Sequence, residues 1–437
     1  MTRDLRDSGV GWLGDTPAGW SVVPARALFG ERKQRSSATD VHLTPSQKYG
    51  VLPQAEYMEI TGNKVVLNLS GADNMRHVEA GDYVSHLRSF QGGLEFAGIP
   101  GKVSAAYTVL KPKVALEPRF FKYLFKCDLY VQALRTTTDQ LRDGQSIRYG
   151  QFALIPLPHP SVEEQRAIAD YLDQETAQID AFIAKNEELI TLLTERRAAV
   201  IAHAVTRGVD AGAALKASDV EWLGDVPSHW SVQRLASTVA RARNGVWGTD
   251  PEGGEDDLRC VRVADFDRPT QRIHDEAHTL RKLTASERAG RVLRNGDLLL
   301  EKSGGGEKSP VGFVVLYDRD EPAVCSNFVA RVELREGMEP KFWTYVHGAI
   351  YRLRITEKSL KQSTGIQNLD QSAYFNEYVA VPPYVEQCVI AEHLERRTAG
   401  IDAAVSTARR GVTLARERRA ALISAAVTGK IDVGVAA

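Results

Sequence analysis

Two stretches of the chain carry the same long helical pattern. Residues 161–207 and 385–430 contain no proline, and apolar positions recur in them at helical spacing: Ile168, Leu172 and Ile179 in the first, Ile390, Leu394 and Ile401 in the second. Both are rich in Ala, Leu, Glu, Arg and Ile, which lose least on becoming helical. They align without a gap at a constant offset of 222. Gln165 meets Gln387, Thr176 meets Thr398, and Ile179-Asp180 meets Ile401-Asp402. Arg196-Arg197-Ala198 meets Arg418-Arg419-Ala420. A repeat of this length governs how every shorter motif is read.

Taken as a heptad, the first copy places Leu172, Ile179, Asn186, Leu193 and Val200 at a, with Ile168, Glu175, Phe182, Leu189 and Arg196 at d. The second copy places Leu394, Ile401, Ala408, Ala415 and Leu422 at a, with Ala404 and Gly411 at d. Large residues are therefore expected to face small ones, and the packing positions are Leu172, Ile179, Leu193, Leu394, Ile401 and Leu422. Asn186 reads as a register device. Two repeated halves related to each other call for antiparallel packing. At about 1.5 Å per residue, 47 residues form a rod of roughly 70 Å.

Ahead of each helix the pattern changes. Trp12-Leu13-Gly14-Asp15-Thr16-Pro17-Ala18-Gly19-Trp20 returns as Trp222-Leu223-Gly224-Asp225-Val226-Pro227-Ser228-His229-Trp230, at an offset of 210. The difference between the two offsets gives the second copy about 12 extra residues between this motif and its helix. Nothing catalytic needs Trp, Gly and Pro in this order, so Trp12 and Trp20 are expected to pack on a core. Residues 65–69, 83–87 and 106–110 read as strands from their β-branched and aromatic content. Gly81-Asp82 marks a turn, and a helix follows Pro118. The second half repeats the order with little identity: Gly296-Asp297 precedes Leu298-Leu299-Leu300, and Pro340-Lys341-Phe342-Trp343 answers Pro118-Arg119-Phe120-Phe121. Each half closes on a proline-rich junction, Pro156-Leu157-Pro158-His159-Pro160 and Pro382-Pro383, before its long helix. The expected fold is α+β: two mixed α/β domains, residues 1–160 and 211–384, separated by two long antiparallel coiled-coil-like helices, residues 161–210 and 385–437.

Composition narrows the class without naming it. A length of 437 residues exceeds one ordinary core. No run of about 18 apolar residues suggests a membrane span, and the N-terminus lacks an apolar secretory segment. Cys127, Cys260, Cys325 and Cys388 are far apart and form no CxxC pair, which fits a reducing cytoplasm. A net charge of −1 leaves any basic surface local.

The motifs that invite a catalytic reading fail on spacing. Ser303-Gly304-Gly305-Gly306-Glu307-Lys308-Ser309 lacks the spacing of a phosphate loop. Val381-Pro382-Pro383-Tyr384 has valine where an amino-methyltransferase needs an acceptor, and no Gly-rich cofactor loop accompanies it. Asp297 with Glu301-Lys302 is an incomplete nuclease pattern, and the first half has His86-Leu87 at that place. The ten histidines show no zinc spacing.

The doubled W-L-G-D-x-P-x-x-W segment, the proline junction running into Glu164-Gln165 and Glu386-Gln387, and the doubled I-D and R-R-A of the helices together resemble the DNA-specificity subunit of type I restriction-modification systems. The resemblance covers nearly the whole chain. It implies two target-recognition domains, each reading one half of a split double-stranded DNA target. It implies helices that set the gap and dock two methyltransferase subunits, with motor-nuclease subunits joining for cleavage. It implies no cofactor in this chain; S-adenosylmethionine, ATP and Mg belong to the partners. Two unlike domains can read two unlike half-sites, whereas a homodimer reads a palindrome. DNA contacts are expected among polar and basic residues of the Gly-containing loops. In the first domain these are Arg88, Ser89, Gln91, Arg142, Gln145 and Arg148. In the second they are Lys302, Ser303, Lys308, Lys361, Gln362, Gln367 and Asn368. The competing readings are a self-sufficient DNA methyltransferase or nuclease, and a scaffold that binds only protein.

Overall fold

A computed structural model describes residues 4–63, 74–86, 89–137, 147–276, 279–306, 309–363 and 366–434. The chain divides into two compact units, residues 1–186 with 410–437, and residues 187–409. Each long helix therefore contributes one end to each unit.

The units are built in the same order. In the first, the hairpin of Leu5–Asp7 with Asp15–Pro17 frames the tryptophan motif, and Ser21–Pro24 pairs antiparallel with the junction strand Pro156–His159. A four-stranded antiparallel sheet follows, in the order Phe29–Glu31, Val109–Pro112, Tyr83–Val84, Glu95–Phe96. In the second, Leu215–Ala217 pairs with Asp225–Pro227 and Ser231–Arg234 with Tyr378–Val381. Its sheet runs Val239–Asn244, Val329–Leu334, Asp297–Glu301, Val314–Tyr317. The second unit adds Asp257–Val261, parallel to Ala323–Cys325 and antiparallel to Leu280–Lys282.

Of the expected strands, residues 65–69 lie outside the described residues. The strand expected over 83–87 is confined to Tyr83–Val84. The one expected over 106–110 begins only at Val109, because Tyr107 donates its N–H to Ser104 O (3.0 Å) and closes a turn. Both helices that follow a proline form, Pro118–Leu124 and Pro340–Arg352, with Pro in the first turn and a glutamate N-cap in each, Glu117 and Glu339.

The cores differ in texture. The first is aromatic: Phe29 meets Tyr83, Phe121 and Phe152 with ring centroids 5.5, 5.1 and 5.9 Å apart, and Trp20 is buried among them. The second is largely aliphatic around Trp230 and Trp343. Both tryptophan motifs thus serve packing. Arg6 Nη2 donates to Trp20 O (2.7 Å), and Lys216 Nζ does the same for Trp230 O (2.5 Å).

The long helices span Val162–Arg207 and Tyr384–Val427. Each stops near a glycine in the left-handed region, Gly208 (φ +74°) and Gly429 (φ +79°). A Cβ on Gly429 would lie 2.3 Å from Pro17 Cδ and 3.0 Å from Trp20, and one on Gly208 would lie 3.3 Å from Trp230. Each helix therefore ends against a tryptophan motif.

Within each unit the two helical segments run antiparallel. In the first, Asp180 meets Arg419 further along the partner segment than Phe182 meets Gly411. The seam differs from the heptad expectation on one side. Positions a are buried or half-buried, including Leu172, Ile179, Leu193, Leu394, Ile401 and Leu422. The expected d positions Phe182, Leu189, Arg196 and Ala404 are exposed, and the seam instead uses Thr176, Ile183, Ile190, Arg197 and Ala204, matched by Thr398, Val405, Val412, Arg419 and Ala426. Hydrophobicity favoured Phe182 and Leu189 over Thr176 and Arg197. The polar pair is tolerated inside because Thr176 Oγ1 donates to Leu172 O (2.6 Å) and Arg197 Nε to Asp402 Oδ1 (2.8 Å). Large still meets small where Phe182 comes within 3.6 Å of the Cβ position of Gly411.

Candidate nucleic-acid interface

Past the fully buried strand Asp297–Glu301, the chain of the second unit turns at Gly304 (φ +116°) and Gly305 (φ +61°). Ser303–Gly304 pairs antiparallel with Ile366–Leu369, which pairs in turn with Leu360–Ser363. The register sets Ser303 opposite Asn368, Gly304 opposite Gln367, and Lys361 opposite Asn368. Two sequence-distant segments, expected as loops, are thus a three-stranded ribbon. The ribbon gathers Ser303, Lys361, Gln362, Gln367 and Asn368, with Lys302 at its base.

Ser303 Oγ donates to Asn368 Oδ1 (2.6 Å), and Lys361 Nζ lies 2.6 Å from Asp370 Oδ2. Lys302 is half-buried, and that burial pushes its ammonium pKa down. Its backbone is fixed on both sides, donating to Phe328 O and accepting from Leu369 N–H (both 2.8 Å).

In the first unit, Gln91 is exposed on the short helix Ser89–Gly92, which Ser89 begins. Arg148 is exposed just before the helix Tyr149–Phe152 and donates its N–H to Gln151 Oε1 (3.0 Å). The two stretches have a shared anchor. The carbonyl of buried Ile147 accepts from Thr108 Oγ1 (2.7 Å) and Ser85 Oγ (3.4 Å), and Thr108 N–H donates to Ser85 Oγ (2.9 Å). Arg88, Arg142, Gln145 and Lys308 lie outside the described residues.

The buried acids beside the ribbon are engaged. Asp297 receives Arg331 through Nε (2.7 Å) and Nη2 (3.2 Å) and the N–H of Arg294 (2.6 Å). Burial raises its pKa, with Arg331 opposing. Glu301 takes Arg268 Nη2 at 2.9 and 3.1 Å, and burial again raises its pKa against the pull of that guanidinium. In the first unit Asp82 is held by Arg32 (2.6 and 3.0 Å). The Gly-Asp turns therefore anchor strands, with Gly81 and Gly296 at φ +98° and +94°. Among the described residues no group of three or more His, Cys, Asp and Glu is placed to hold a metal ion, and no helix is long and apolar enough to cross a membrane.

Two features escaped the sequence reading. Gln165 and Gln387 are hubs: each accepts a backbone N–H, from Glu117 (2.9 Å) and Glu339 (3.0 Å), and donates to Pro160 O and Pro382 O (both 2.9 Å). Each thereby ties the start of a long helix to its own globular part. The other is Trp247, exposed between Val246 and Gly248 beside the ribbon; a tryptophan flanked by Gly245 and Gly248 was the available signal.

No family model matches the chain. It is 25% identical over 327 residues to the StySPI type I restriction enzyme specificity subunit of Salmonella potsdam, covering 74% of this chain and 67% of that protein. It is 24% identical over 305 residues to the EcoKI specificity subunit of Escherichia coli K12 (67% and 61%), and 24% identical over 285 residues to the MjaVIII specificity subunit of Methanocaldococcus jannaschii (64% and 63%). The chain thus spans about two thirds of the length of the curated relatives it matches. Among solved structures, it is similar to a chain from a study of complex assembly and conformational transition of the type I R-M system (TM-score 0.64, 15% identity, 95% of this chain and 99% of that one). It is also similar to the HsdS subunit from Thermoanaerobacter tengcongensis (TM-score 0.52, 15% identity, 95% and 98%). The shared fold is a duplicated α+β unit with long helices. The curated relatives it matches are all specificity subunits of type I restriction enzymes.

Proposed function

We propose that this chain is the sequence-specific DNA-recognition subunit of a type I restriction-modification complex. Each globular part reads one half of a bipartite double-stranded target. The long helices set the gap and dock two methyltransferase subunits, and motor-nuclease subunits join for cleavage. The subunit itself is non-catalytic and cytoplasmic; S-adenosylmethionine, ATP and Mg belong to the partner subunits. The observation that carries this reading is a repeated architecture with unlike polar surfaces. Among the described residues, the second unit presents the Lys302, Ser303, Lys361, Gln367 and Asn368 ribbon, whereas the first presents Gln91 and Arg148. One backbone plan with two surface chemistries is what two unlike half-sites require.

The test is long-read mapping of methylated adenines in cells expressing this chain with its methyltransferase. A split motif with a fixed gap is expected. Replacing residues 23–157 with those of a relative should change one half-site and leave the other. An unchanged methylation pattern after that exchange would refute the reading. Inserting about four residues, roughly one turn, after Asp180 should alter the gap and spare both half-sites.

A further inference from the structure

Beside the ribbon of the second unit lies a hollow of about 490 Å³, lined by Trp247, Arg262, Ser303, Gly304, Gly305 and Phe328, among others. Its two aromatic walls are exposed, Trp247 by 39% and Phe328 by 48%. Exposed apolar residues that gather in one place, unlike those scattered singly, mark a surface that meets something.

The backbone that carries both rings is fixed. A Cβ on Gly245 would lie 2.2 Å from the carbonyl oxygens of Cys325 and Ser326, and one on Gly248 would lie 2.3 Å from Lys282 O. The Gly245–Gly248 stretch is therefore pinned between two strands at a separation only glycine permits, and Val246 N–H donates to Cys325 O (2.8 Å). The Arg281 guanidinium sits 4.6 Å from the Trp247 ring centroid, donates to Trp247 O (2.9 Å), and is itself held by Asp250 (2.6 Å). Phe328 sits in a tight turn closed by Val329 N–H on Ser326 O (2.9 Å), and its own carbonyl receives Lys302 N–H (2.8 Å). Gly304 and Gly305 bring no side chains to the lining. Two exposed aromatic side chains with the Arg262 and Arg281 guanidiniums nearby suit a flat, polar-edged ring attached to a phosphate chain, and the Glu301 carboxylate that also lines the hollow is paired with Arg268.

We propose that Trp247 and Phe328 form a nucleobase-stacking site, which takes the face of one unstacked base in the half-site read by the second unit. Ser303, which lines the hollow and is bonded to Asn368 of the ribbon, supplies a hydrogen-bonding group near that base. The inference rests on the DNA-recognition reading and adds to it a specificity element outside the polar ribbon.

The test uses the full chain assembled with its methyltransferase, on duplexes carrying the mapped target. Each nucleotide of the second half-site is replaced in turn by an abasic analogue, and affinity is read by fluorescence anisotropy for wild type, Trp247→Ala and Phe328→Ser. At one position the abasic analogue should weaken wild-type binding by roughly 5- to 150-fold, the range for a base stacked on an aromatic side chain. The two variants should be weakened on intact DNA and lose nothing further at that position. Phe328→Ser lies in an exposed turn, and thermal melts of both variants check folding. Additive losses at every position would overturn the stacking site. Unchanged DNA affinity with lost methyltransferase assembly would make the hollow a protein-docking surface and overturn it too. Absence of any sequence-dependent methylation would instead defeat the recognition reading on which it stands.

Discussion

Arg197 of the first long helix donates through Nε to Asp402 Oδ1 of the second at 2.8 Å, and the repeat-related Arg419 donates to Asp180 at 2.8 and 3.1 Å. The I-D motif of each helix is thus the partner of the R-R-A motif of the other. The two pairs differ in burial. The Arg197 side chain is 6% exposed, whereas that of Arg419 is 36% exposed. Arg197 Nη1 also lies out of solvent with no partner among the described residues. Removing Asp402 leaves a guanidinium in an apolar seam. Asp402→Ala is therefore expected to cost about 3–5 kcal/mol, and Asp180→Ala about 0–1 kcal/mol. Equilibrium denaturation of the full chain checks this. Equal losses would mean that burial does not separate the pairs.

The glutamine hubs supply a second asymmetry. Gln165→Ala strands the buried N–H of Glu117 and the carbonyl of Pro160, for which about 1–3 kcal/mol per unsatisfied group is expected. Gln387→Ala does the same to Glu339 and Pro382 and also frees Trp343 Nε1, which donates to Gln387 Oε1 at 3.0 Å. The second substitution should therefore lower Tm more than the first. Glutamate at either position should not rescue, because it lacks the donor for the proline carbonyl.

These relationships also show what a sequence exposes and what it hides. The repeat, the helix limits to within a few residues, and the packing role of Trp20 and Trp230 follow from patterns local to the chain. The crosswise partnership of Asp180 with Arg419 does not, since alignment of the copies sets Asp180 beside Asp402. One side of the seam is hidden in the sequence because Thr176 and Arg197 have the character of surface residues, and only their hydrogen bonds allow them inside. Glycines at 304 and 365 suggest loops, whereas the Ser303–Asn368 pairing joins segments 65 residues apart into a ribbon. The restraint on Asp297 comes from Arg331, 34 residues away, so the incomplete nuclease pattern looked freer than it is.

His77 gives the first unit a pH-dependent contribution. Burial pushes its imidazole pKa down, but Asp40 (2.8 Å) and Glu79 (3.0 Å) more than reverse this, so the folded value lies above the ordinary 6.5. The protonated form is thus favoured by folding. Its stabilisation is complete below the unfolded pKa and is lost as pH rises through the folded one. His77→Gln should accordingly destabilise the chain more at about pH 5.5 than at about pH 8.5. Urea denaturation at both pH values measures the difference, and a larger loss at the higher pH would contradict the sign.

Gly429 and Gly208 end the two long helices in the same left-handed conformation, yet they should not respond alike to a methyl group. At either site alanine meets the intrinsic penalty of that conformation, about 1–2 kcal/mol. At Gly208 the nearest atoms are 3.3 Å from the new Cβ, and one of them, Glu386 Oε1, ends a flexible side chain. At Gly429 the nearest are Pro17 Cδ at 2.3 Å and Pro17 Cγ at 2.6 Å, on a ring that cannot rotate away, with Trp20 behind at 3.0 Å. The methyl group would have to push the tryptophan motif off the helix end. Gly429→Ala should therefore cost about 2–5 kcal/mol, adding overpacking of about 1–3 kcal/mol to the conformational term. Gly208→Ala should stay close to the conformational term alone. Thermal melts of the two variants, each read against wild type, decide it, and comparable shifts in Tm would show that the Pro17–Trp20 segment yields at little cost.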